Sequence, residues 1–152
     1  MWRFMILTMC GVVLAATDFS GTWALSVTKS DFGRGNAPQS LTMTVRQSKT
    51  RLAVESTLVD ARGASASGFA LDLTGKEAEN LIRGNKAVSV TAWRGPALQV
   101  KARTMVQSAE IKTVDQWQMD EGGRVLTIYR TAITPNGEIE QRYVYEKHPT
   151  KQ

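Results

Sequence analysis

The sequence predicts an all-β domain, a single closed antiparallel barrel of about eight to ten strands. Three observations carry that expectation. Apolar and polar residues alternate with a period of two almost everywhere, clusters of Gly, Pro and Asn separate the alternating runs, and no stretch shows a convincing helical period. A sandwich shares the alternation. Closure into a barrel removes exposed strand edges, which a domain without disulfides has reason to avoid.

The stretch Asp18-Phe19-Ser20-Gly21-Thr22-Trp23-Ala24-Leu25 opens the pattern. Trp23, Leu25 and Val27 alternate with Thr22, Ser26 and Thr28, the mark of a half-buried strand that points Trp23 inward. Lys29 to Gln39 contains Gly33, Gly35, Asn36 and Pro38 without a period and reads as a loop. Its Gly-Arg-Gly lacks the following helix that a phosphate-binding glycine loop needs. Leu41, Met43 and Val45, then Leu52, Val54, Ser56 and Leu58, form the apolar faces of a hairpin. The small residues from Ala61 to Ser67 read as a connection, and Phe69, Leu71 and Leu73 as the fourth strand.

Glu77 to Arg83 is assigned as a short edge strand. Val88, Val90 and Ala92 alternate up to Trp93, and Arg94-Gly95-Pro96 turns the chain into Leu98, Val100 and Ala102. Ile111, Thr113, Asp115, Trp117 and Met119 share one face of the next strand, which ends at a tight turn over Asp120-Glu121-Gly122-Gly123. Val125 to Thr131 is β-branched and aromatic, as expected of a strand contacted on both faces. After Thr134-Pro135-Asn136-Gly137, Ile139, Tyr143 and Tyr145 face one way and Glu138, Glu140, Arg142 and Glu146 the other.

Residues 1–16 have the layout of a secretory signal peptide: one charge at Arg3, an apolar run, and small residues before a cleavage point after Ala16. The run is shorter than the ~20 residues that span a bilayer. Cys10 sits in a loose lipobox, but Met9 is bulky where a small residue belongs and the apolar run continues through Leu14, so the cysteine is expected to leave with the signal. Removing 16 of 152 residues leaves 136, one domain by length. The expected location is the periplasm or the outside of the cell, without a membrane anchor. The mature chain has no cysteine, hence no disulfide and no thiol chemistry. Once Arg3 is removed from the 19 basic residues, 18 face 14 acidic ones. That excess is scattered, with no basic stripe and no stacking aromatics, so nucleic-acid binding is not expected.

The Gly21-Thr22-Trp23 entry resembles the Gly-x-Trp that opens the first strand of lipocalins and fatty-acid-binding barrels, the calycin group. The whole mature chain resembles their up-and-down barrels, in particular small exported lipocalin-like proteins of bacteria. Trp117, Gly122-Gly123, Leu126-Thr127, Gly137 and Tyr145-Glu146-Lys147 match the later part of that pattern. The resemblance implies a monomeric carrier of a small apolar or amphipathic ligand, with Trp23 as the plug of the closed end packed against a late arginine, Arg130 or Arg142. Two features depart from it. The chain shows neither the C-terminal helix of lipocalins nor the helical lid of fatty-acid-binding proteins. Arg142 directly precedes Tyr143, so the two face opposite sides of a strand and a carboxylate clamp between them is not expected.

Catalysis has little to build on. His148 is the only histidine and lies in the tail, which leaves no triad and no histidine metal site, and no cofactor is expected. The residues expected to face the cavity and orient a ligand are Ser56, Thr113, Asp115, Thr127, Tyr129, Gln141, Tyr143 and Tyr145. Asp115 is the most demanding of them. On an inward face it needs either a place at the mouth or an arginine or tyrosine partner. The alternative to a ligand cavity is a filled barrel that acts as a structural or interaction module of the cell envelope.

Overall fold

The computed structural model describes residues 16–120 and 122–148. The signal assigned to 1–16, apart from Ala16, lies outside them together with Cys10, and so does Glu121 of one expected turn. Ten strands follow one another: β1 (Gly21–Leu25), β2 (Ser40–Gln47), β3 (Arg51–Asp60), β4 (Gly63–Asp72), β5 (Ala78–Ile82), β6 (Asn85–Arg94), β7 (Ala97–Val106), β8 (Ala109–Met119), β9 (Val125–Thr134) and β10 (Gly137–Lys147). They form one antiparallel sheet in the order β4-β3-β2-β1-β10-β9-β8-β7-β6-β5. Each strand pairs with its neighbour in sequence except across β4–β5, and β10 returns to pair with β1, which makes the up-and-down barrel.

The barrel is nearly closed. Between β4 and β5 the Asn80 side chain stands in for a ladder: its amide donates to the Ala70 carbonyl (2.8 Å) and accepts from the Ala70 N–H (2.9 Å). Thr91 Oγ1 adds a bond to the Asp72 carbonyl at 2.6 Å.

One end is packed solid. Phe19, Trp23, Val45, Leu52, Leu98 and Leu126 are its fully buried side chains. Trp23 Nε1 donates to the Phe19 carbonyl at 2.9 Å, and Phe19 stacks on Trp93 and meets Trp117 edge-on. Trp23 is thus the plug. The cation over its ring is Lys147, 5.5 Å from the centroid, in place of either expected arginine. Arg130 is drawn inside to Asp115, and Arg142 faces out to the Lys29 carbonyl. Gly21 has φ +144°, a backbone conformation that favours the glycine before Trp23, while the Lys147 side-chain end that a Cβ would meet can move aside.

Three expectations are corrected. Ala61 to Ser67 is no connection: Gly63 starts β4, which pairs along all of β3, with Ser67 opposite Ser56. In β6 the inward face is Ala87, Ser89, Thr91 and Trp93, because Trp93 joins the plug and Thr91 holds β4; Val88 and Val90 turn outward. In β9, pairing of Trp117 with Ile128 and Asp115 with Arg130 turns Leu126, Ile128 and Arg130 inward, and Thr127 and Tyr129 outward.

A cavity open at one end of the barrel

The other end is open. The turns β3–β4, β5–β6, β7–β8 and β9–β10 lie there with the loop between β1 and β2. That loop, with turns at 27–29 and 33–35, lies over the mouth as a strap. Asp31 and Arg142 exchange backbone hydrogen bonds at 2.8 and 2.7 Å, and Gln141 Nε2 donates to the Phe32 carbonyl at 3.0 Å. Gly33 makes the close approach, since its φ is +61° and a Cβ would lie 2.7 Å from the Glu140 carbonyl oxygen. Phe32 then meets Tyr143 edge-on at the rim.

Below the strap lies a cavity of about 960 Å³. Aliphatic and aromatic side chains such as Met43, Val54, Phe69, Leu71, Val100 and Ile128 form most of its wall. The barrel is not filled. One charged cluster interrupts the apolar wall where β8, β9 and β10 meet. Arg130 donates from Nε to Asp115 Oδ1 (2.8 Å) and from Nη2 to Oδ2 (2.7 Å), a two-pronged, charge-assisted pair. Its guanidinium lies 5.5 Å from the centre of the Tyr143 ring. The Tyr143 hydroxyl donates to Gln141 Oε1 at 3.0 Å, so a polar chain runs from the interior pair to the strap.

The pair's electrostatics follow from its position. Asp115 keeps 10% of its side-chain surface and Arg130 36%, and the latter opens on the cavity. Burial alone would pull the Arg130 guanidinium down, but the charge and hydrogen bonds of Asp115, helped by Tyr143 and Tyr145, raise it above its ordinary value. It stays a cation. Burial raises the Tyr145 hydroxyl well above the usual phenol range; the Arg130 charge works against this and Tyr143 and Asp115 with it. Tyr145 is therefore a neutral wall residue.

Of the residues expected to face the cavity, Ser56, Thr113, Asp115, Tyr143 and Tyr145 line it. Ser56 Oγ lies 3.1 Å from Ser67 Oγ. Gln141 stands at the rim on the strap. Together with Tyr129 it borders a shallower cleft of about 310 Å³. Thr127 and Tyr129 are on the outer face, with Tyr129 45% exposed. Arg130 was missed as a cavity residue, although the demand of Asp115 for a partner was the available signal. His148 is exposed and donates its backbone N–H to the Thr22 carbonyl. Among the described residues no group of three or more His, Cys, Asp or Glu could hold a metal ion.

No protein-family model matches the chain, and no curated protein matches it. Solved structures do. The fluorescent protein UnaG superimposes with a TM-score of 0.59 at 16% identity, over 86% of this chain and 97% of that one. Human cRBP IV gives 0.55 at 11% identity, over 87% and 99%. The zebrafish ileal bile acid-binding protein, complexed with cholic acid, gives 0.57 at 14% identity, over 86% and 98%. The fold is that of the calycin barrels, the lipocalin and fatty-acid-binding group.

Proposed function

We propose that the protein is an exported, non-catalytic carrier that binds a small apolar or amphipathic molecule in its barrel. The cavity of about 960 Å³, walled by apolar side chains and open at one end, carries the reading. A solved barrel of the same fold holds cholic acid, which supports the class of ligand. Export rests on the amino-terminal sequence, where residues 1–16 have the form of a cleaved signal. Ligand orientation is assigned to Asp115, Arg130 and Tyr143, with Ser56, Thr113 and Tyr145 as further wall groups.

Native mass spectrometry of the protein purified gently from its own host, followed by solvent extraction, tests the reading. A stoichiometric small molecule released from the barrel supports it. A clean protein mass, with no quenching of tryptophan fluorescence by a panel of fatty acids and retinoids, refutes it.

A further inference from the structure

Asp60, Arg62 and Arg83 border the cavity at its mouth; below them, among the described residues, its wall holds one positive and one negative side chain, Arg130 and Asp115, bonded to each other. The pairing uses the Nε and Nη2 edge of Arg130 and both carboxylate oxygens of Asp115, which leaves Nη1 outside it. Both residues line the cavity, and Arg130, the more exposed of the two, also borders the shallower cleft. A polar group at this point of the inner wall thus meets the N–H donors of Nη1 and the spare lone pairs of Asp115, on a pair with no net charge of its own.

The consequence depends on the ligand's own charge. A carboxylate at Nη1 would give up part of its water shell, and Asp115 at close range would cancel much of the attraction from Arg130 that could offset that loss. The Tyr143 ring already covers the guanidinium, so the cation cannot swing far to escape its partner. An uncharged oxygen has no such cost. A primary amide or a hydroxyl can accept from Nη1 and donate back to Asp115, and so complete the hydrogen bonding of both partners.

Resting on the carrier reading, we infer that the barrel selects ligands whose polar end is uncharged, an amide, alcohol or other neutral donor and acceptor, and discriminates against carboxylates of the same chain. Asp115 sets that selectivity by occupying the only cation that lines the inner wall of the cavity below the rim among the described residues.

Isothermal titration calorimetry at pH 8 with dodecanamide, dodecan-1-ol and dodecanoic acid tests this on the delipidated wild-type protein. The amide and the alcohol are expected to bind at least about tenfold more tightly than the acid. In Asp115→Asn, which frees Arg130 at nearly constant shape, the order should invert. If that variant does not fold, the wild-type series alone decides. Tighter binding of the acid by the wild-type protein overturns the inference and leaves the carrier reading standing. Failure of all three to bind overturns both.

Discussion

Replacing Arg130 with methionine should cost more than any contact it makes on the surface of the molecule. The substitution keeps most of the side-chain volume but leaves Asp115, at 10% exposure, without its partner. Breaking a buried ion pair from one side costs about 3–5 kcal/mol. Arg130 opens 36% of its surface to the cavity, where water screens the pair. That screening brings the expected loss down to about 2–3 kcal/mol, or a fall in Tm of about 7–11 °C for a domain of this size. Asp115→Leu strands the cation instead and should cost as much. The double variant removes both charges and should return to within about 1 kcal/mol of wild type. Urea unfolding at neutral pH of the delipidated proteins measures all four corners of the cycle, with an unchanged m value as the check that only stability moved. Additive losses, or a single loss below about 0.5 kcal/mol, would show that the pair behaves as a solvated surface bridge and refute the reasoning.

Three further outcomes are expected. Asn80→Ala removes both bonds across the β4–β5 seam and should cost about 1–2 kcal/mol. Hydrogen exchange should then speed up at Ala70 and along β5 and leave β1 and β2 protected; equal protection of the seam would count against the side-chain closure. Among the described residues Ser89 Oγ is buried with no hydrogen-bond partner, so Ser89→Ala should stabilise the protein by about 1 kcal/mol, and a loss in urea unfolding would reveal a partner. Because burial raises the Tyr145 hydroxyl, the folded chain keeps its proton when the unfolded chain has lost it. Stability is therefore full below the ordinary tyrosine range and falls above pH ~10 by up to about 1.4 kcal/mol per unit. Tyr145→Phe should flatten that slope, and an identical slope would sink the assignment.

The barrel was legible because a half-buried strand writes its facing into the sequence every second residue. β2, β3, β8 and β10 show this cleanly, and Trp23 announced the closed end. Elsewhere the local pattern was overruled by pairing. In β6 the valines carry the stronger apolar signal, yet Trp93 and Thr91 have partners that only the inward face can reach. In β9 both faces are apolar enough that the sequence could not choose, and the register with β8 chose Arg130 over Tyr129. The β7–β8 turn at Gln107 and Ser108 takes positive φ without a glycine, so nothing marked it. The cavity itself was beyond reach, since its size depends on how far ten strands open the barrel.

The two ends of the barrel do different work, and the cavity explains why they must. Side chains that line the cavity have fewer packed protein neighbours than those of a filled core, so the middle of the molecule contributes less packing energy per residue. That deficit has to be met elsewhere. Among the described residues the largest fully buried side chains lie at the closed end: Phe19 on the entering segment, and Trp23, Val45, Leu52, Leu98 and Leu126 on strands close to that end's turns. The entering segment is tied down by polar bonds as well, with Phe19 N–H held by Gln47 at 2.8 Å and Gln47 Nε2 donating to the Thr17 carbonyl at 2.8 Å. Stability is thereby concentrated where no ligand can reach. The open end carries the strap, fastened along β10 by the Asp31–Arg142 bridge, by Ser30 Oγ accepting from the Val144 N–H, by Gln141 and by the Lys29–Glu146 ion pair, with one glycine that cannot be replaced without moving the Glu140 carbonyl. Substitutions in the plug should therefore change unfolding with the cavity wall intact, while those at Asp115 and Arg130 should change both unfolding and the polar lining of the cavity. The contacts Arg130–Tyr143–Gln141–Phe32 run without a break from the interior pair to the strap, so the wall and the mouth share one connected set of side chains.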